Sequence, residues 1–186
     1  MPPDTPIETA TERGHSCTPA EIEETLRERG WLSPQHGCQS ASALQEWLSR
    51  AAELLGPHAA TRDDLCGLLE LLFFYDAAEL LRRRESQEVL ARTGAREVLR
   101  ELANRILEGG DIDSDRFKQI VDDLKLAVPY RSRAMFHPIR LALAGRAGEG
   151  ELDRVILLID SASKIDFRIH VKSTRQRMLE FCAALD

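Results

Sequence analysis

Hydrophobic and polar positions alternate with the period of an α-helix along nearly the whole chain. The clearest apolar stripe lies in SASALQEWLSRAAELLGP and consists of Leu44, Trp47, Leu48, Ala51, Leu54 and Leu55. No strand-like alternation, βαβ rhythm or repeat of fixed period occurs in the sequence. The pattern therefore predicts an all-α protein folded as an irregular helical bundle.

Capping residues indicate where several of these helices begin. A Thr-x-x-Glu pattern predicts a capping box at Thr18, and a Thr-x-x-Asp pattern predicts a second helix start at Thr61. From Thr61 one long helix is expected to run to Arg84, and residues 68–74 within it are apolar nearly all round. Such a helix is expected at the centre of a core. A further helix is predicted from Ser114.

The chain divides into three predicted segments: a flexible leader at 1–16, an N-terminal helical part at 17–112 and a C-terminal helical part at 113–186. The leader has acidic residues and no apolar centre, which is not the pattern of a secretory signal. No apolar run approaches the roughly 18–20 residues that span a bilayer. We therefore expect a cytoplasmic protein with no membrane partner.

Charge is distributed unevenly along a chain whose net charge is −6. Residues 1–115 carry 12 Lys or Arg and 22 Asp or Glu, whereas residues 116–186 carry 13 and 9. Charges attract phosphate only within a Debye length of about 8–10 Å, so the local sign decides contact with a polyanion. The basic C-terminal part could therefore face a nucleic acid, and the acidic N-terminal part could face a protein partner.

The segment PYRSRAMFHPIRLALAGRAGEGELDRVILLID, residues 129–160, combines basic, apolar and turn residues. Pro138 cannot sit inside a helix without loss of a hydrogen bond, so a helix is expected to start at or near Pro138 and to end at Gly145. Arg140 lies in an apolar run, so its guanidinium must reach a carboxylate, a helix C-terminus or the surface. The glycines at 148 and 150 predict a tight turn before the next helix.

This succession of motifs resembles the anticodon-binding region of glutamyl-tRNA synthetase. The resemblance is carried by a basic residue, an apolar pair, Pro-x-Arg, an Ala-Leu-x-Gly end, a glycine turn and a leucine-rich helix. The corresponding residues here are Arg133, Met135, Phe136, Pro138, Arg140, Ala142, Leu143, Gly145, the turn 148–150 and the helix 152–159. Ala144 replaces the usual threonine. The likeness is weaker over 68–127 and does not extend before residue 60.

The resemblance implies an anticodon-binding α-helix cage that contacts tRNA and has no catalytic residues or cofactor. The family's ATP-handling motifs, of the His-Ile-Gly-His and Lys-Met-Ser-Lys-Ser types, are not found in this chain. No strand pattern supports the parallel sheet that a class I synthetase uses for its nucleotide. We therefore expect a stand-alone, non-catalytic RNA-binding protein.

Arginine and aromatic side chains of this segment are the candidate RNA contacts, because a guanidinium pairs with phosphate and stacks on bases as aromatic rings do. The candidates are Tyr130, Arg131, Arg133, Phe136, His137, Arg140 and Arg146. For His137 two roles stay open, stacking on a base or capping the next helix. The alternative function is a protein-interaction or regulatory adaptor that kept the helical cage and lost RNA binding.

Two His-x-Cys pairs form a second candidate site. His15 and Cys17 are followed by His36 and Cys38, which together offer four zinc ligands. Zinc sites more often use Cys-x-x-Cys pairs, and the first pair lies at the predicted leader. We therefore expect no metal at these residues.

Overall fold

The computed structural model describes residues 17–33 and 38–185, and the side chains of residues 38–40 lie outside this description. The described residues form ten α-helices and a 3₁₀ turn at Gly56–His58. The helices are α1 (Pro19–Glu28), α2 (Cys38–Leu55), α3 (Arg62–Phe73), α4 (Ala77–Arg82), α5 (Arg84–Leu90), α6 (Ala95–Glu108), α7 (Ser114–Ala127), α8 (Arg133–Ala144), α9 (Glu151–Ala162) and α10 (Thr174–Leu185). The all-α prediction is confirmed.

Both predicted helix starts, at Thr18 and Thr61, have a capping box. The Thr18 hydroxyl accepts from the Glu21 backbone N–H, and the Glu21 carboxylate accepts in return from the Thr18 backbone N–H at 2.7 Å. Thr61 and Asp64 make the same reciprocal pair at the start of α3. These two helix starts are therefore fixed by local sequence.

The predicted single helix from Thr61 to Arg84 is wrong, because the chain breaks twice within it. After α3 the Asp76 carboxylate accepts from the Glu79 backbone N–H at 2.9 Å and starts α4. Arg83 is extended, with ψ of 138°, and separates α4 from α5. The first break buries Tyr75, whose hydroxyl donates to the Ala142 carbonyl of α8 at 2.6 Å. A long-range contact and a local cap together interrupt the helix.

The predicted start of a helix at Pro138 is also wrong, because α8 begins at Arg133 and contains Pro138. The helix starts from the Ser132 carbonyl, which accepts from Phe136 N–H at 2.9 Å. Proline removes one backbone hydrogen bond from the helix interior. Met135 and Ile139 are fully buried on either side of it, and their apolar burial offsets that loss. Gly145 ends α8 in the left-handed conformation, φ 80°, as predicted.

Helix α9 lies at the centre of the bundle, where it contacts α2, α3 and α8. Eight of its eleven residues from Leu152 to Ala162 are buried. Trp47, a member of the predicted apolar stripe, is buried as well, and so is Trp31. Residues from both predicted helical parts contribute to one hydrophobic core, and the boundary at residue 112 stays a prediction.

A buried arginine joins the C-terminal ends of two helices to α10. The Arg177 guanidinium donates to the carbonyls of Leu143 at 2.8 Å and Leu72 at 2.6 Å, and it lies 4.7 Å from the centre of the Tyr75 ring. Burial lowers the pKa of Arg177 to about 10. The partial negative charge of helix C-termini stabilises such a cation. This network fixes the end of α8 and was not predicted from the sequence.

Candidate nucleic-acid interface

The N-terminal end of α8 presents an exposed surface formed by Arg92, Tyr130, Arg133 and His137, which we call the α8 patch. Arg133 is the first residue of α8, and its side chain is 75% exposed. It forms an ion pair with Glu149 at 3.1 Å, on the loop that follows α8. A pair this exposed contributes little to stability, so the guanidinium can exchange Glu149 for another anion at small cost.

Arg92 joins this surface from the turn between α5 and α6. Its guanidinium donates to Nδ1 of His137 at 3.1 Å, across 45 residues of sequence. Arg92 is exposed and, within the described part of the chain, has no carboxylate partner. Sequence reasoning missed this residue, since it lies far from the motif and only the packing of α5, α6 and α8 brings it there.

The His137 imidazole is half-buried, and its surroundings favour the uncharged form. Burial, followed by the charge of Arg92, lowers the pKa of His137 below its ordinary value. Because Nδ1 accepts from Arg92, the ring proton belongs on Nε2, which is buried and has no hydrogen-bond partner among the described residues. This geometry makes His137 a support for the Arg92 guanidinium.

Tyr130 packs against the backbone of the α5–α6 turn. A Cβ atom at Gly94 would lie 2.1 Å from the Tyr130 ring, so one face of the ring covers this glycine. Gly94 has φ of 86° and is the N-cap of α6. Tyr130 is half-buried, and a hydrogen bond to Glu97 raises the pKa of its hydroxyl. The ring therefore has at most one face for contact with a ligand.

Arg131 was predicted as an RNA contact, but its guanidinium caps the C-terminal end of α7. It donates to the carbonyls of Lys125 at 2.6 Å, Val128 at 2.7 Å and Tyr130 at 2.7 Å. These carbonyls have no partner within the helix, and a cation also complements the helix dipole. Arg131 is thus engaged in holding the chain between α7 and α8.

Arg140 is likewise engaged within the protein. It is buried, and it makes a bidentate ion pair with Asp153 of α9, at 2.8 and 2.7 Å. Its remaining nitrogen donates to the Gly148 carbonyl at 2.6 Å. Of the three partners expected for the Arg140 guanidinium, a carboxylate, a helix C-terminus or the surface, the structure shows the carboxylate. This clamp fixes the loop at residues 145–150, which we call the glycine loop, against α8.

The last two candidates are Phe136, which contacts Arg140, and Arg146, which lies on the glycine loop. The half-buried Phe136 ring stacks under the Arg140 guanidinium, whose carbon lies 5.0 Å from the ring centre. Arg146 projects from the glycine loop with its side chain 46% exposed, 4.0 Å from a Glu151 carboxylate oxygen. Arg146 therefore resembles Arg133 in being an exposed arginine with a weak intramolecular partner.

Most of the candidate zinc ligands lie outside the described residues. His15 and His36 are not among the described residues, nor is the side chain of Cys38. Cys17 is half-buried, and burial raises the pKa of its thiol to about 11. Thiolate is the form that binds zinc, and this environment disfavours it. The expectation of no metal stays a prediction.

Comparison with known proteins establishes the class of this domain. In the described part, a Pro-x-Arg helix, a glycine loop and a leucine-rich helix follow one another within an all-helical bundle. Residues 22–162 match the family described as the anticodon binding domain, and the chain therefore belongs to that family. The match begins well before residue 60, so the relationship extends further than the motifs alone indicated.

One similar protein is glutamate–tRNA ligase 2 of Syntrophus aciditrophicus (strain SB). The two sequences are 29% identical over 123 residues, which cover 63% of this chain and 24% of the ligase. The chain thus spans about a quarter of the length of this relative. No solved structure matches the chain. Among the described residues, none of the helices combines the length and apolar character needed to cross a membrane.

Proposed function

We propose that this chain binds tRNA and does not itself catalyse aminoacylation. Membership of the anticodon binding domain family and similarity to a glutamate–tRNA ligase support tRNA as the partner. We choose the α8 patch as the binding surface because of one observation: Arg92 pairs with His137 beside the exposed Arg133. Two guanidinium groups, one from the start of α8 and one from the α5–α6 turn, suit adjacent phosphates of an RNA strand.

The candidate side chains fall into two groups, those that are free to contact RNA and those that are held by partners within the protein. Arg92, Arg133 and Arg146 are exposed and contact phosphates or base edges, and Tyr130 offers one ring face for stacking. His137 positions Arg92. We assign Arg131 and Arg140 to the support of this surface. Three N–H donors of Arg131 bond backbone carbonyls, and all three guanidinium nitrogens of Arg140 donate to Asp153 or to the Gly148 carbonyl.

The experiment is a binding titration of labelled total tRNA with the wild type and the Arg92→Gln/Arg133→Gln variant. We expect the variant to bind more weakly and to lose roughly 0.7–0.9 from the log–log salt slope for each phosphate contact removed. Arg131 is left unchanged because its loss would release the end of α7.

The matched control is Arg82→Gln/Arg84→Gln, which removes two exposed arginines from the region of α4 and α5. We expect this control to bind tRNA as the wild type does. If the Arg92/Arg133 variant, shown by circular dichroism to be folded, binds as well as the wild type, the α8 patch is the wrong surface. If the wild type shows no salt-sensitive binding, the adaptor function, suggested by the acidic residues 1–115, takes its place.

The non-catalytic part of the proposal has its own test. We expect no glutamate-dependent pyrophosphate exchange from the purified protein with ATP and tRNA present. Exchange above background would show that the chain activates the amino acid and would overturn this part of the proposal.

A further inference from the structure

A cleft of about 290 Å³ opens between α7 and α9, beside the 3₁₀ turn at Gly56–His58. Basic, apolar and small residues line it, and none of them was a sequence candidate. The lining includes His58, Phe117, Lys118, Gly150, Arg154 and Leu157. On α7 and α9 the lining residues are spaced three or four apart, so each helix directs one face into the cleft.

The cleft carries a net positive charge. Lys118 and Arg154 are exposed, and within the described residues neither forms an ion pair or a side-chain hydrogen bond. The carboxylate in the lining is Asp153, and both of its oxygens accept from Arg140, at 2.8 and 2.7 Å. Arg140 therefore balances the negative charge of Asp153. Asp122 is the carboxylate near Lys118, which helps to lower the pKa of Asp122, but Asp122 already accepts from Lys125 at 2.8 Å. Lys118 and Arg154 can therefore attract a further anion.

The lining and position of the cleft suit one nucleotide. Phe117 is half-buried and Leu157 is buried, so apolar surface lies next to the two cations. Aromatic side chains bind bases by stacking, and Lys and Arg bind the phosphates that flank them. Gly150 of the lining follows Glu149, the residue that Arg133 holds at 3.1 Å. The cleft therefore adjoins the α8 patch across the glycine loop.

We propose that this cleft binds one phosphorylated nucleotide, with the phosphate on Lys118 and Arg154 and the base against Phe117. The inference rests on the proposed function, because we take the nucleotide to be part of the same tRNA that contacts the α8 patch. A free mononucleotide offers the same chemistry, and the test separates the two sources.

The test compares tRNA binding by the wild type and by Lys118→Gln/Arg154→Gln, with Arg82→Gln/Arg84→Gln as the control of equal charge change. We expect the cleft variant to bind total tRNA about tenfold more weakly or worse at low salt, with a smaller salt slope. Circular dichroism confirms folding of each variant. In a second arm, NMR spectra of the wild type are recorded with inorganic phosphate and with AMP.

The outcomes distinguish this inference from the proposed function. If the cleft variant binds like the wild type while the Arg92/Arg133 variant is weakened, the cleft inference is overturned and the proposed function stands. If the wild type binds no tRNA, the proposed function fails, and the NMR arm decides the cleft. Shifts at Lys118, Arg154 and Phe117 with AMP would then assign it to free nucleotides, and unchanged spectra would overturn it.

Discussion

Arg140 connects α8 to the glycine loop and to α9 through a guanidinium whose side chain is only 8% exposed. Replacing it by methionine would leave the Asp153 carboxylate without its bidentate partner and the Gly148 carbonyl without a donor. Removing one partner of a buried ion pair is expected to lower the free energy of unfolding by about 3 kcal/mol. Urea denaturation of Arg140→Met measures this loss.

The control for this prediction is the double variant Arg140→Met/Asp153→Leu, which removes both charges. We expect it to recover most of the lost stability, because no uncompensated charge remains. A single variant within about 0.5 kcal/mol of the wild type would contradict a structural role for the clamp.

His137 makes stability depend on pH. Its pKa is lower in the folded protein than the ordinary value of 6.5, so the unfolded chain takes up a proton more readily. The stabilisation is therefore complete above about pH 6.5 and is lost as the pH falls through the lower folded pKa. His137→Gln keeps an acceptor for Arg92 and cannot be protonated, so it should lose less stability than the wild type between about pH 7.5 and pH 5. Identical pH profiles in thermal melts would refute this role.

At the scale of elements, the α5–α6 turn fixes both Tyr130 and Arg92 against α8. Gly94 permits this turn, because its φ is 86° and the Tyr130 ring occupies the space of a side chain. Gly94→Ala should therefore lower the free energy of unfolding by roughly 2–4 kcal/mol, through backbone strain and overpacking.

Gly67, in the interior of α3, provides the matched control. Apart from its chain neighbours and the backbone of its own helix, a Cβ atom there would meet no atom within 4 Å, and the backbone is helical. Gly67→Ala should raise stability by roughly 0.5–1 kcal/mol, since alanine has less freedom to lose on folding. Equal effects of the two substitutions, measured by chemical denaturation, would show that the turn does not depend on Gly94.

At the scale of the whole molecule, the helical class and much of the core follow from the sequence, because apolar periodicity and capping boxes act locally. The breaks around Tyr75 and the course of α8 through Pro138 did not follow, since distant contacts decide them. The hydroxyl of Tyr75 reaches Ala142, 67 residues away, and Met135 is buried by the folded bundle. For such residues the local preference is overridden by packing.

In the candidate site, too, some features follow from the sequence and others depend on distant contacts. Arg133 is exposed at the start of α8, a helix start that the sequence pattern did not predict. Arg131 and Arg140 have partners that only the folded chain supplies. Arg92 enters the site because α5 and α6 pack beside α8, and no local motif indicates it. Tertiary structure thus decides which arginines hold the surface together and which are exposed for contact with RNA.

Our proposal that this domain binds tRNA through exposed arginines is tested by the salt dependence of wild-type binding to total tRNA. We expect measurable binding at low salt and a linear fall of log K with log salt concentration, at roughly 0.7–0.9 per phosphate contact. Absence of binding at low salt, or an affinity that does not change with salt, would contradict it.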